Sequence, residues 1–284
     1  MKKIIISGAS GFIGKFVLNF LKNYEVDIID QSKGHNICSQ EFFKAFNNDY
    51  DVFIHLAGKT NVIDSFKNPL DYYECNTIGA LNIAKFCNLK KIGKIIYANS
   101  YPYGSPQYLP VDEDHSINPQ SPYQKSKQFA ENILLDIPGV KTISCRLFNV
   151  YGPGQPSHLL MPQIIKQALG DNNFIEVKDT LPKRDYIYIE DIANLFLSII
   201  KSNVNNSAII NVGTGKSYSV KEVIDQIQKI IGTKKEIISQ NEVRRNEVMD
   251  CYAKITKAWD DFNWEPKIQL NEGLYKWISQ LKIK

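Results

Sequence analysis

The chain has 284 residues, 43% hydrophobic and 23% charged, with a net charge of +4 at neutral pH, which suits one large α/β domain, or a large domain with a small lobe. The charge is too small and too dispersed for a nucleic-acid partner, and no apolar run is long enough for a membrane span. Five scattered cysteines (Cys38, Cys75, Cys87, Cys145, Cys251) without Cys-x-x-Cys spacing, and four histidines far apart, exclude a disulfide framework and a metal site and point to reduced thiols in a cytoplasm.

Two lysines precede the first apolar run, superficially like a secretory leader, but the run is three isoleucines long and ends at Gly8, so KIIIS (3–7) reads as a strand. Gly8, Gly11 and Gly14 follow in G-x-x-G-x-x-G spacing and open an amphipathic stretch near 12–22. The next predicted strand, 26–30, closes on Asp30, 19 residues past Gly11. Helical patterns near 39–47, 69–88 and 122–136 then alternate with strands at 51–57, 94–100 and 142–148. Apolar strands separated by helices imply βαβ units, and right-handed crossovers make these a doubly wound, Rossmann-like parallel sheet. After residue 150 the rhythm loosens. YGPGQPSHLLMPQ, with three prolines and two glycines, reads as largely irregular. A helix near 158–169, a strand near 173–177, a helix near 190–201 and a buried strand within 207–215 follow, and Ser219 and Glu222 have capping-box spacing. The expected division is a dinucleotide-binding domain of residues 1–150 with about 186–212, and a smaller interleaved lobe of about 151–185 with 213–284.

The glycine turn carries the first chemistry. Glycines between a strand and a helix let backbone N–H groups approach a pyrophosphate and let helix pack on strand. Gly8, Ser10, Gly11, Phe12, Ile13 and Gly14 are therefore candidate cofactor contacts. A carboxylate at Asp30 holds both ribose hydroxyls and repels a 2′-phosphate, which favours NAD over NADP. Further on, Ser121 is a good N-cap and Pro122 suits the first helical position. Tyr123 and Lys127, four apart, then share one helix face. Alone, such a pair is an exposed turn with a solvated lysine. Only four residues are arginine, Arg146, Arg184, Arg244 and Arg245. In a chain that otherwise uses lysine, each is a candidate either for gripping phosphate with a rigid fork or for a structural salt bridge.

In order along the chain, GASGFIG, DVFIHLAG, NPLDYYECNTIGALNIAKF, KIIYANSYPYG, NPQSPYQKSK, RLFNVYGPGQ, RDYIYIEDIA, INVGTGKSYSV and WEPKIQLNEGL resemble the extended short-chain dehydrogenase/reductase family of nucleotide-sugar epimerases, dehydratases and reductases. The resemblance implies that Tyr123 is the general acid/base and that Lys127 binds the nicotinamide ribose and lowers the tyrosine pKa. It makes Ser100 the hydroxyl that bonds the reacting oxygen. It brings Leu56, Ala57, Gly58, Lys59 and Asn76 to the cofactor, and Asn149, Arg184 and Arg244 or Arg245 to the sugar nucleotide. His55 reads instead as a satisfied core histidine. The implied partner is a nucleotide-diphosphate sugar, in a homodimer built through helices near 69–88 and 122–136.

Dehydratases of this family carry an Asp-Glu pair after the active-site Ser/Thr, whereas Tyr101 and Pro102 stand here. The compact serine-to-tyrosine segment and the short chain favour reduction of an NDP-4-keto-6-deoxyhexose. The alternative is an NDP-hexose 4-epimerase with tightly held NAD, which Asp30 suits. A non-catalytic nucleotide sensor or scaffold is a remote third reading, since such proteins lose the tyrosine, the lysine or the glycine turn.

Overall fold

A computed structural model of the chain describes residues 2–203, 205–242 and 247–282. Strand β1 (Lys3–Ser7) leads through the glycine turn into α1 (Phe12–Phe20), and β2 (Glu25–Ile29) and β3 (Val52–His55) follow. Next come α2 (Val62–Lys67), α3 (Pro69–Tyr72), a π-helical stretch (Tyr73–Ile78) and α4 (Gly79–Leu89), then β4 (Lys94–Ser100), α5 (Pro122–Leu135) and β5 (Lys141–Leu147). The second half contains β6 (Asn149–Tyr151), α6 (Leu160–Leu169), β7 (Phe174–Val177), β8 (Lys183–Tyr188), α7 (Ile189–Lys201) and β9 (Ala208–Val212). It ends with β10 (Ser217–Ser219), α8 (Val220–Ile231), β11 (Glu236–Ser239), α9 (Thr256–Phe262) and α10 (Leu270–Lys282).

Six strands form one parallel sheet in the order β2-β1-β3-β4-β5-β9. Its sequence signature is the uninterrupted isoleucine of β1. Alternate side chains point to opposite faces, so a strand covered on both faces is apolar at every position. Ile4 and Ile6 pack with Val17, Ile192 and Phe196 on one face, while Ile5 packs with Phe53, Ile83 and Phe86 on the other. From β1 the chain runs outward to β2 and then crosses to β3 on β1's other side. The carboxyl ends of β1 and β3 therefore diverge at a switch point, where doubly wound sheets open a ligand crevice.

A second core joins Tyr151, Met161, Ile164, Tyr186, Tyr188, Val223, Ile227 and Trp277. Around it lie a three-stranded sheet, β10-β8-β6, and a two-stranded one, β11-β7. Buried carboxylates tie this lobe together. Asp185 accepts from the backbone N–H groups of Thr214, Gly215 and Ala253, and Asp191 accepts from those of Lys267 and Ile268.

Three expectations are corrected. The segment near 39–47 is a 3-10 helix over Gln40–Ala45, because only Phe42 within it is buried and so short a segment lacks the apolar stripe that holds an α-helix against a core. The helix near 69–88 is interrupted by the π-helical stretch. YGPGQPSHLLMPQ is less irregular than its composition implies, since β6 ends in it and α6 starts in it. Among the described residues no helix is long and apolar enough to cross a membrane, and no group of three or more His, Cys, Asp or Glu could hold a metal ion.

Candidate active site

The glycine turn lies at the switch point. Gly8 has φ +76°, and a Cβ on it would stand 2.5 Å from the Ala57 amide nitrogen. A Cβ on Gly14 would stand 2.2 Å from the Gly8 carbonyl oxygen. Both positions thus admit only glycine, and β1, the first turn of α1 and the end of β3 close to backbone contact. The α1 N-cap is Gly11, with no side chain to satisfy the first amides of the helix. Those amides and the positive end of the helix dipole form a cradle for an anion. Phe12 and Ile13 turn their side chains into the two cores, so they offer backbone only. Ser10 and Gly11 are exposed. Asp30, at the end of β2, is aimed by Ser32, whose N–H and Oγ each donate to Oδ1 at 2.9 Å. The Ser32 amide, with its hydroxyl, holds the Asp30 carboxyl below the ordinary carboxylate range. An anion cradle with a carboxylate on the neighbouring strand fits the pyrophosphate and adenosine ribose of NAD.

The segment after β3 is fixed from below. His55 is buried, with Nδ1 2.8 Å from Ser7 Oγ, and stacks on Tyr97. Burial, followed by the Lys127 charge, drives its pKa well down, so it is a neutral core group as its sequence context implied. Leu56 continues the ladder through its N–H to the Ser7 carbonyl. The Asn76 amide is bonded within the protein. Its Oδ1 accepts from the Lys59 N–H at 2.8 Å, and its Nδ2 donates to the Lys59 carbonyl and to Ser126 Oγ at 3.0 and 2.9 Å. Asn76 therefore binds the 57–59 segment to α5, and a Cβ on Gly58 would strike its Oδ1 at 2.7 Å. The Lys59 ammonium is paired with Asp71 at 2.6 Å.

Ser121 caps α5 by accepting the Gln124 N–H, and Pro122 occupies the first position. The phenol of Tyr123 meets Ser100, the last residue of β4. Burial raises the Tyr123 pKa, and the hydrogen bond with Ser100 opposes that rise. Lys127 is 6% exposed and lies over the Tyr97 ring, donating to the Ala98 carbonyl at 2.7 Å. Burial pushes its pKa down to about 7, against the opposing pull of Cys75 and Glu131.

On the lobe side, Tyr101 stacks on Phe148 and donates to Asn149 Oδ1 at 3.3 Å. Arg184 sits close to Tyr101, but its fork is held by the Glu247 carboxylate and the Lys183 and Val248 carbonyls. The Arg184 fork thereby ties β8 to the residues that follow 243–246. Arg244 and Arg245 lie outside the described residues. Arg146 makes a fully buried structural salt bridge, paired with Glu131 in the core. Sequence reasoning missed Asn99, Ser126 and Glu131. Only Glu131 left a signal, four residues beyond Lys127 on the same helix face.

The arrangement has recognisable relatives. A putative UDP-glucose 4-epimerase from Methanocaldococcus jannaschii is 34% identical over 98% of both chains. The structure of RMD from Pseudomonas aeruginosa complexed with NADPH superposes with a TM-score of 0.90 at 24% identity, covering 100% of this chain and 99% of that one. UDP-glucuronic acid 4-epimerase from Bacillus cereus, in complex with UDP-glucuronic acid and NAD, superposes at 0.87 with 26% identity, covering 98% and 99%. The model of the NAD dependent epimerase/dehydratase family matches residues 4–213, a span that holds the glycine turn, Asp30, Ser100, Tyr123 and Lys127. By sequence, sheet order and the residues gathered at its switch point, the chain belongs to the NAD dependent epimerase/dehydratase family, whose members are enzymes acting on nucleotide sugars.

Proposed function

We propose that this protein is an NAD-dependent 4-epimerase of a UDP-linked hexose. The observation that carries the reading is the end-to-end match to a relative named as a putative UDP-glucose 4-epimerase. The sequence alone favoured a ketoreductase, partly because the chain is short for an epimerase. A relative of that name that pairs with 98% of this chain weakens that argument. Dehydration remains disfavoured, because the position after Ser100 holds a stacked tyrosine where an acid would be needed.

In this reading the amides at the start of α1 hold the pyrophosphate and Asp30 holds the adenosine ribose, so the cofactor is NAD rather than NADP. When bound, NAD supplies a reversible hydride acceptor beside the sugar. Tyr123 takes the proton of the 4-hydroxyl as that carbon is oxidised, and returns it after the ketone has presented its other face. Ser100 bonds the reacting oxygen. A buried phenol resists ionisation, so a nearby positive charge is needed. Lys127, with a pKa about 7, keeps its proton more firmly once Tyr123 is a phenolate, and each charge favours the other. Asn149 and the surroundings of Arg184, with Arg244 and Arg245, receive the UDP. Two lobes divided near residues 150, 185 and 212 enclose the substrate.

The exposed apolar residues Ile63, Phe66 and Leu70 on α2 and α3, with Phe129 on α5, support a homodimer through this face. The scattered thiols support a cytoplasmic setting. The test is to incubate purified protein with UDP-galactose, without added NADH, and separate the nucleotide sugars chromatographically. UDP-glucose should accumulate, and Tyr123→Phe should abolish this while retaining NAD. Consumption of NADH with a 4-keto-6-deoxy nucleotide sugar, and no interconversion, would replace this reading with the ketoreductase.

A further inference from the structure

Three polar residues share one face of α5 at four-residue spacing: Tyr123, Lys127 and Glu131. Glu131 is fully buried and faces Arg146, which is 1% exposed. Arg146 Nη2 donates to Oε1 at 2.8 Å and Nε to Oε2 at 3.2 Å. Ser144 Oγ and Gln128 Nε2 add bonds at 2.6 and 2.9 Å. Ser144 and Arg146 are two apart on β5 and so point to one face. Asn99 is the register partner of Arg146 on β4.

Asn99 connects this buried pair to the candidate reacting centre. Its Nδ2 donates to Glu131 Oε2 at 2.7 Å, and its Oδ1 accepts the Ser100 N–H at 2.8 Å. At the far end, Arg146 Nη1 donates to the Tyr103 hydroxyl at 3.0 Å, and Tyr103 donates to Asn211 Oδ1. A buried ion pair is seldom the most stable filling for a core, and apolar residues of similar volume often serve as well. Here the pair has a second consequence: two bonds at opposite ends of its amide fix the Asn99 side chain, and with it the peptide that carries Ser100.

We propose that Glu131 and Asn99 are positioning residues that aim the Ser100 hydroxyl at Tyr123, with Arg146 holding the Glu131 carboxylate in place. This rests on the reading that Ser100, Tyr123 and Lys127 form the reacting centre. Misplacement of a reacting group by as little as an ångström lowers rates by up to about a hundredfold.

Two variants and two readouts test it. Asn99→Leu keeps the branched heavy-atom outline of the side chain and the Glu131–Arg146 pair but removes the link to Ser100. Tyr103→Phe weakens the network at its far end and leaves Ser100 untouched. Turnover of UDP-galactose is measured well below each unfolding midpoint. Tyr123 is titrated by ¹⁹F NMR in fluorotyrosine-labelled protein, its resonance assigned by its loss in Tyr123→Phe. Asn99→Leu should lower kcat by about tenfold or more, leave KM nearly unchanged, and move the Tyr123 titration to higher pH. Tyr103→Phe should lower the unfolding midpoint and change neither kcat nor the titration. A wild-type kcat or an unmoved Tyr123 titration in Asn99→Leu overturns the proposal, as do equal kcat losses in the two variants. If wild-type protein turns over no UDP-hexose, the functional reading fails, and the titration, which needs no substrate, still decides the positioning role.

Discussion

Lys127→Met should make the NAD-free protein more stable at acid and neutral pH. Lys127 titrates at about 7 in the fold against 10.5 ordinarily, because burial disfavours its charge. Each pKa unit is about 1.4 kcal/mol, so below pH 7, where folded and unfolded chains both carry the proton, its charge costs the fold about 5 kcal/mol. Between pH 7 and about 10.5 the unfolded chain still binds the proton and the folded chain does not, so stability rises by about 1.4 kcal/mol per pH unit. Above that range both states are neutral and the cost is gone. Methionine removes the charge but also the bond to Ala98 and the contact with the Tyr97 ring, together worth about 2 kcal/mol. Urea unfolding of both proteins from pH 6 to pH 10 should therefore show the variant ahead by about 2 to 4 kcal/mol at pH 6. That lead should shrink from pH 7 upward and vanish or reverse near pH 10. A lead that does not change with pH, or a wild type that is the more stable at pH 6, would refute the argument that the ammonium is held at the expense of the fold.

Gly14→Ala drives a methyl into the Gly8 carbonyl and Ala9 Cα, both backbone atoms, and should cost about 1 to 3 kcal/mol; thermal unfolding and an NAD titration should show loss of both stability and affinity. Asp30→Ala should weaken NAD binding by about tenfold or more, as expected for a lost charged hydrogen bond, and narrow the gap to NADP, checked by calorimetric titration of both. Glu131→Gln leaves Arg146 under-compensated in the core and should cost about 3 to 5 kcal/mol in urea unfolding, whereas the apolar double replacement Glu131→Leu with Arg146→Met should cost much less. Leu70→Glu, on a side chain 78% exposed, should leave the fold intact and halve the mass seen by sedimentation, and an unchanged mass would remove that face from the proposed dimer.

The parallel sheet, the glycine turn into α1 and the Tyr123–Lys127 face of α5 were legible in the chain because each rests on short-range rules. Isoleucine runs mark strands covered on both faces, glycine spacing marks backbone contact, and four-residue spacing marks a helix face. The three- to six-residue strands of the second lobe were largely not legible, because strands so short take their identity from their partners. Side-chain partnership was not legible either. Arg146 and Arg184 were indistinguishable as residue types, yet the fold buries one against Glu131 and sets the other against Glu247. Asn76 matched a cofactor position, but nothing in the chain foretold that its amide bonds Lys59 and Ser126. A polar side chain's role depends on which donors and acceptors the fold brings within about 3 Å; for Asn76 and Arg146, and for the Asn99 bond to Glu131, those lie 15 or more positions away along the chain. The sequence by itself determined where the backbone turns and which faces are apolar; only the tertiary structure decided which polar groups meet.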